Sequence, residues 1–232
     1  MNVLLIHGQS HRGTTYHMGR ILVEKITDID NIIELFLPRD LNHFCLGCYS
    51  CVEDETRCPY WHEKKKFVDA MEKADVFVFT TPNYCLAPSG TMKSFIDLFF
   101  DLWMVHRPKV WMFQKRAVIL SASAGASCKK AIGTVKDSLF YWGIPDIKTY
   151  GLAVQAANWN AVNAEKKTKI EKDLTKIATT IHNEKSCHVG IKTKLVFNVM
   201  KMMHEKGWDS SLVEKQYWED QGWLGKVRPW KK

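Results

Sequence analysis

The chain opens with Val3-Leu4-Leu5-Ile6, an apolar run that lacks the in–out alternation of a half-exposed strand, and this run limits the fold more than any other feature. A strand that is apolar on both faces must be covered on both faces, which is the situation of a parallel sheet sandwiched between helices. Four later segments read as further strands: Asn31 to Leu37, Asp75 to Thr80, Arg116 to Ala122 and Ile144 to Val154. Helical stretches separate them, running from the first loop to about Ile26, from Glu63 to Lys73, from Thr91 to about Trp103 and from Lys129 to Trp142, and a charged amphipathic helix follows from Ala161 to about His182. Strand–helix alternation of this kind predicts an α/β fold, a doubly wound five-stranded parallel sheet in the order 2-1-3-4-5.

The alternation stops near residue 185, so the sequence divides into a sheet domain over 1–185 and a C-terminal helical extension over 186–232. In the extension, Ile191, Leu195, Val199 and Met202 form one helical stripe, and tryptophans follow at 208, 218, 223 and 230. Such a stripe could dock on its own domain, on a second subunit or on a membrane surface. The C-terminal part of the chain also holds most of the basic excess: lysine and arginine number 33 against 25 acids overall, and 15 against 9 over 161–232. These lysines alternate with acids at helical spacing, the pattern of a solvated helix, so nucleic acid is not an expected partner. With a mean hydropathy of -0.24, no run approaches the roughly 18 apolar residues of a membrane span. The N-terminus shows no basic lead and no small-residue cleavage site, and the expected location is the cytoplasm.

In a doubly wound sheet, ligands bind beyond the carboxyl ends of the strands. The first loop, Gly8-Gln9-Ser10-His11-Arg12-Gly13-Thr14-Thr15, carries hydroxyls and a cation into a helix N-terminus, which suits a phosphate. It also reads as an ordinary helix start capped by Thr14 or Thr15. The loop over 81–90 offers an aromatic ring and small residues to a flat heterocycle, or is a simple Pro–Gly turn. The loop over 121–127 contains only Ser, Ala and Gly, so a planar ligand could approach its backbone. Four of the seven cysteines, Cys45, Cys48, Cys51 and Cys58, follow C-x2-C-x2-C-x6-C. This run fits a 4Fe-4S cluster, with zinc or four reduced thiols as the other readings.

These motifs resemble the flavodoxin-like NAD(P)H-dependent FMN reductase and iron–sulfur flavoprotein family over about residues 1–155. Thr81-Pro82-Asn83-Tyr84, with Ser89-Gly90-Thr91-Met92-Lys93-Ser94-Phe95-Ile96-Asp97, is similar to the family's S-P-x-Y and K-x-F-I-D segments. The first loop approximates its G-S-P-R loop, with Gln9 inserted and His11 at the usual proline. The resemblance implies bound FMN and NAD(P)H as reductant. Ser10, Arg12, Gly13, Thr14 and Thr15 would hold the phosphate. Pro82, Asn83, Tyr84, Ser89 and Gly90 would contact ring and ribityl chain, and Ser121, Ala122, Ser123, Ala124 and Gly125 the pyrimidine edge. It further implies a homodimer or higher homo-oligomer that moves electrons from a small-molecule or protein donor to a quinone, flavin or other acceptor. An iron–sulfur electron carrier and a non-catalytic flavodoxin-like module are the rival functions. The flavin carries the chemistry, so no side chain is expected to act as nucleophile or general base.

Overall fold

The structure, a computed structural model, describes residues 1–184, 186–208 and 211–231. Five strands, β1 (Val3–His7), β2 (Ile32–Phe36), β3 (Val76–Pro82), β4 (Arg116–Ser123) and β5 (Asp146–Ala153), form an all-parallel sheet in the order β2-β1-β3-β4-β5. The unbroken apolar runs are explained by where alternate side chains go. Leu4, Ile6, Phe77, Phe79, Ala117 and Ile119 enter one core. Their neighbours Val3, Leu5, Val76, Val78, Val118 and Leu120 enter the other.

The first core is closed by α3 (Trp61–Lys73), α4 (Gly90–Leu98) and α5 (Lys129–Tyr141), the second by α1 (Thr14–Ile26) and α6 (Ala164–Asn183). Helix α2 (Ser50–Glu53) is a single turn in the long segment after β2. Gly19 lets α1 lie close on the sheet, because a Cβ there would meet Thr80 Cγ2 at 2.8 Å and Leu5 Cδ1 at 3.1 Å.

Three sequence expectations are corrected or narrowed. The helix expected over 91–103 ends at Leu98 and is followed by a 3-10 turn over Phe100–Leu102. That turn holds Asp101, whose Oδ1 accepts from Lys64 Nζ at 3.0 Å, and both side chains are buried. Neither Thr14 nor Thr15 caps α1: Gly13 is the cap, without a side-chain hydrogen bond, and both threonines are already helical. The stripe Ile191, Leu195, Val199 and Met202 does not dock on its own domain, one of the three options its spacing left open. It lies on the exposed side of α7 (Ile191–Glu205), while Thr193, Phe197 and His204 face inward.

The inversion follows from ring area. Phe197 packs within 6 Å, centroid to centroid, of Phe113, Trp218, Trp223 and Trp230, and aromatic rings are the side chains with the most apolar area to bury. The cluster, joined by Met104 and Val189, is a third core that fixes the extension to the sheet domain. Helix α8 (Leu212–Asp220) adds polar ties. Trp218 Nε1 donates to His106 O at 2.9 Å, Tyr217 Oη donates to Pro108 O at 2.7 Å, and His106 Nδ1 lies 2.6 Å from Glu214 Oε1. No helix among the described residues is long and apolar enough to cross a membrane.

Candidate cofactor site at the carboxyl edge

The loops after β1, β3, β4 and β5 surround a cavity of about 260 Å³ at the carboxyl edge of the sheet. Close approach of the first and third loops depends on Gly8. Its N–H donates to Thr80 O at 2.7 Å, and a Cβ there would lie 2.8 Å from that oxygen and 2.9 Å from Ser89 Oγ. Beneath this loop His7 is buried, donating through Nε2 to Glu34 Oε1 at 2.8 Å while its Nδ1 meets Thr80 Oγ1 at 3.0 Å. Burial pushes the Glu34 carboxyl up, and the contacts with His7 and Arg20 outweigh it, leaving the group below its ordinary range.

Of the residues expected to hold a ligand, Gly13, Thr14, Thr15, Pro82, Asn83, Tyr84, Ala122, Ser123 and Ala124 line this cavity together. The rest do not line it. Ser10 Oγ donates to Leu37 O at 3.1 Å and ties the first loop to the end of β2. Arg12 places its guanidinium 5.4 Å from the Tyr16 ring. Ser89 is the N-cap of α4, accepting from Met92 N–H and donating to Gly8 O at 2.7 Å, and Gly90 opens that helix. Ser121 is buried within β4, and Gly125 lies in the exposed turn beyond it.

His11, a residue of the first loop, also lines the cavity, as do three residues that the sequence reading missed, Val154, Ala156 and Ala157. The signal for the last three was available in Val154-Gln155-Ala156-Ala157, a small-residue stretch like the one after β4.

The cavity suits a phosphorylated planar molecule. The first N–H groups of α1 have no intrahelical partner and no side-chain cap, which is the arrangement that receives an anion. Asn83 donates through Nδ2 to Ser127 O at 3.1 Å, while its Oδ1 is buried without a hydrogen-bond partner among the described residues. An unpartnered buried acceptor is costly unless a ligand donor reaches it. A larger cavity of about 790 Å³ includes Met1, Asp75 and Arg116, at the opposite edge. There Arg116 is committed to Ile181 O, Glu184 O and Asp146.

One wall carries backbone strain. Tyr84 and Ala87 exchange both backbone hydrogen bonds across a two-residue turn whose central residues, Cys85 and Leu86, have φ of 51° and 65°. For L-residues this left-handed conformation costs on the order of 1–2 kcal/mol each. Leu86 is 47% exposed, so little packing is lost with it. Leu86→Gly is therefore expected to raise stability by about 0.5–1 kcal/mol, read as a higher urea midpoint at unchanged slope.

Cys45, Cys48, Cys51 and Cys58 line a second, apolar pocket with Leu46, Tyr49, Pro59, Tyr60, Leu98 and Phe100. All four are free thiols. Hydrogen bonds from Ser50 lower the Cys48 thiol, whereas burial, aided by the Asp101 carboxylate, pushes Cys51 up to about 12. No three His, Cys, Asp or Glu side chains among the described residues converge on a point that would hold a single metal ion, so the tetrahedral geometry of zinc is not set up. The space that the four thiols border is small, about 10 Å³.

The fold recurs in solved proteins. An NADH:FMN oxidoreductase in its apo form has a TM-score of 0.53 at 17% identity, covering 82% of this chain and 95% of that one. The azoreductase AzrA has a TM-score of 0.56 at 14% identity, covering 78% and 100%. In sequence, an FMN-dependent NADH:quinone oxidoreductase of Mesoplasma florum is 31% identical over 103 residues, 41% of this chain and 49% of its own length. An iron-sulfur flavoprotein of Archaeoglobus fulgidus is 26% identical over 98 residues, 42% of this chain and 48% of its own length. The chain thus spans about half the length of the curated relatives it matches. Residues 1–158 match the family described as NADPH-dependent FMN reductase, and with the five-stranded sheet and its carboxyl-edge cavity this shows that the chain belongs to that family.

Proposed function

We propose that this chain binds FMN at the carboxyl-edge cavity and works as an oxidoreductase that takes electrons from NAD(P)H and passes them to a quinone, an azo compound, a flavin or another small acceptor. The observation that carries the reading is the meeting of an uncapped helix N-terminus with two small-residue loops around one cavity, in a chain of this family. When bound, FMN supplies the hydride and electron transfer itself. The first-turn N–H groups of α1, with the Thr14 and Thr15 hydroxyls, receive the phosphate. Arg12 adds positive charge beside that loop, Ser10 and Ser89 hold it in place, and Pro82–Tyr84 and Ala122–Ala124 flank the heterocycle. A cytoplasmic location and a homodimer belong to the same reading.

Steady-state assays of FMN-loaded protein with NADH or NADPH, and with benzoquinone or an azo dye as acceptor, test it. FMN-dependent loss of nicotinamide absorbance is expected. Bound FMN with no oxidation of either nicotinamide would overturn the reductase assignment.

A second reading, an iron–sulfur flavoprotein acting as electron carrier, is favoured by one observation: all four thiols of the cysteine run line the same apolar pocket. Cys45, Cys48, Cys51 and Cys58 would hold the cluster, which would exchange single electrons. Iron and sulfide analysis of anaerobically purified protein decides it. Stoichiometric iron that Cys48→Ser removes while FMN stays bound supports this reading, and iron-free protein rejects it.

A further inference from the structure

We propose that the outer face of α7 is a docking surface for an anionic lipid bilayer, on which the protein sits peripherally. The proposal does not depend on the FMN reading. Ile191, Leu195, Val199 and Met202 recur at helical spacing over the whole of α7, and their exposures of 86%, 63%, 41% and 38% show that the third core leaves them uncovered. Trp208 continues the apolar character beyond the helix at 62% exposure. A stripe of this length is uncommon on a surface without a partner, and its inward counterpart, Phe197, already satisfies the packing of α7 on its own domain.

Charge selects the partner. Lys194 and Lys206 stand exposed on α7 and its C-cap, with Lys192 exposed beside the Phe140 ring, while Lys201 turns inward, donating to Gly225 O and pairing at 3.3 Å with Glu205, the one acid of the helix. Two copies meeting through this face would bring lysines against lysines with no acidic stripe to receive them, whereas anionic headgroups complement them. An apolar stripe bordered by lysines, lying along rather than through the bilayer, is the pattern of interfacial helices. Trp208 has the amphipathic ring favoured at headgroup depth, and Lys206 Nζ lies 4.6 Å from its centroid.

Co-sedimentation of the full chain with phosphatidylcholine vesicles, with and without about 30% phosphatidylserine, tests the proposal. Binding to the anionic vesicles and little to the neutral ones is expected, and it should weaken as NaCl rises from about 0.1 to about 0.5 M. Leu195→Glu, and separately Lys194→Glu with Lys206→Glu, should each lower partitioning about tenfold or more. All three side chains are exposed, so the variants should keep wild-type circular dichroism. Absence of vesicle binding, equal binding to both vesicle types, or full binding by Leu195→Glu would overturn the proposal. A wild-type dimer that Leu195→Glu converts to monomer would also overturn it, assigning the face to a second copy.

Discussion

Lys64→Met is expected to destabilise the protein by about 3–5 kcal/mol, because it leaves the Asp101 carboxylate buried without its counter-charge. Lys64 is 0% exposed, Asp101 is 3% exposed, and Nζ sits 3.0 Å from Oδ1. Burial already raises the Asp101 carboxyl, and the Lys64 ammonium is the chief group opposing that rise. For a chain of this size the loss corresponds to a fall in melting temperature of about 10 °C. Adding Asp101→Leu should recover most of it, since two apolar groups of similar volume often replace a buried pair at little cost. A single-variant loss below about 1 kcal/mol would contradict the geometry. The pair sits beside Cys51, whose thiol responds to both charges, so it also supports the floor of the cysteine pocket.

Thr14→Asp should move stability and cofactor affinity in opposite directions. A carboxylate in the first turn of α1 interacts favourably with the uncapped N–H groups and the helix dipole, worth about 0.3–1 kcal/mol to the flavin-free protein. The same carboxylate occupies the place proposed for the FMN phosphate and repels it, and the expected loss of FMN affinity is about 100-fold. A variant that is merely misfolded would lose both, so the opposite signs identify the site. Unchanged affinity would place the phosphate elsewhere.

The sheet was legible because a strand buried on both faces has no other way to appear in sequence than as an apolar run, and Val3–Ile6, Val76–Phe79 and Ala117–Leu120 are such runs. The loops around the cavity were legible from composition at the ends of β1, β3 and β4. The loop after β5 was overlooked, although its small residues complete the wall at Ala156 and Ala157. Ser10 and Ser89, which the motifs place at the cofactor, also tie the protein's own loops together, each donating to a backbone carbonyl.

Which face of α7 meets its own domain was not legible, for a different reason. Periodicity finds an apolar stripe but does not rank it against a shorter aromatic one, and Phe197 with Trp218 and Trp223 outweighs Ile191, Leu195, Val199 and Met202. The 3-10 turn after α4 was equally hidden, since the Lys64–Asp101 contact links residues 37 apart in sequence.

The account rests on FMN binding at the carboxyl edge, and titration of flavin-free protein with FMN, followed by quenching of flavin fluorescence, tests that directly. Saturable binding of one FMN per chain, weakened about 100-fold by Thr14→Asp, is the predicted result. Free flavin fluorescence that persists undiminished through the titration would contradict the account.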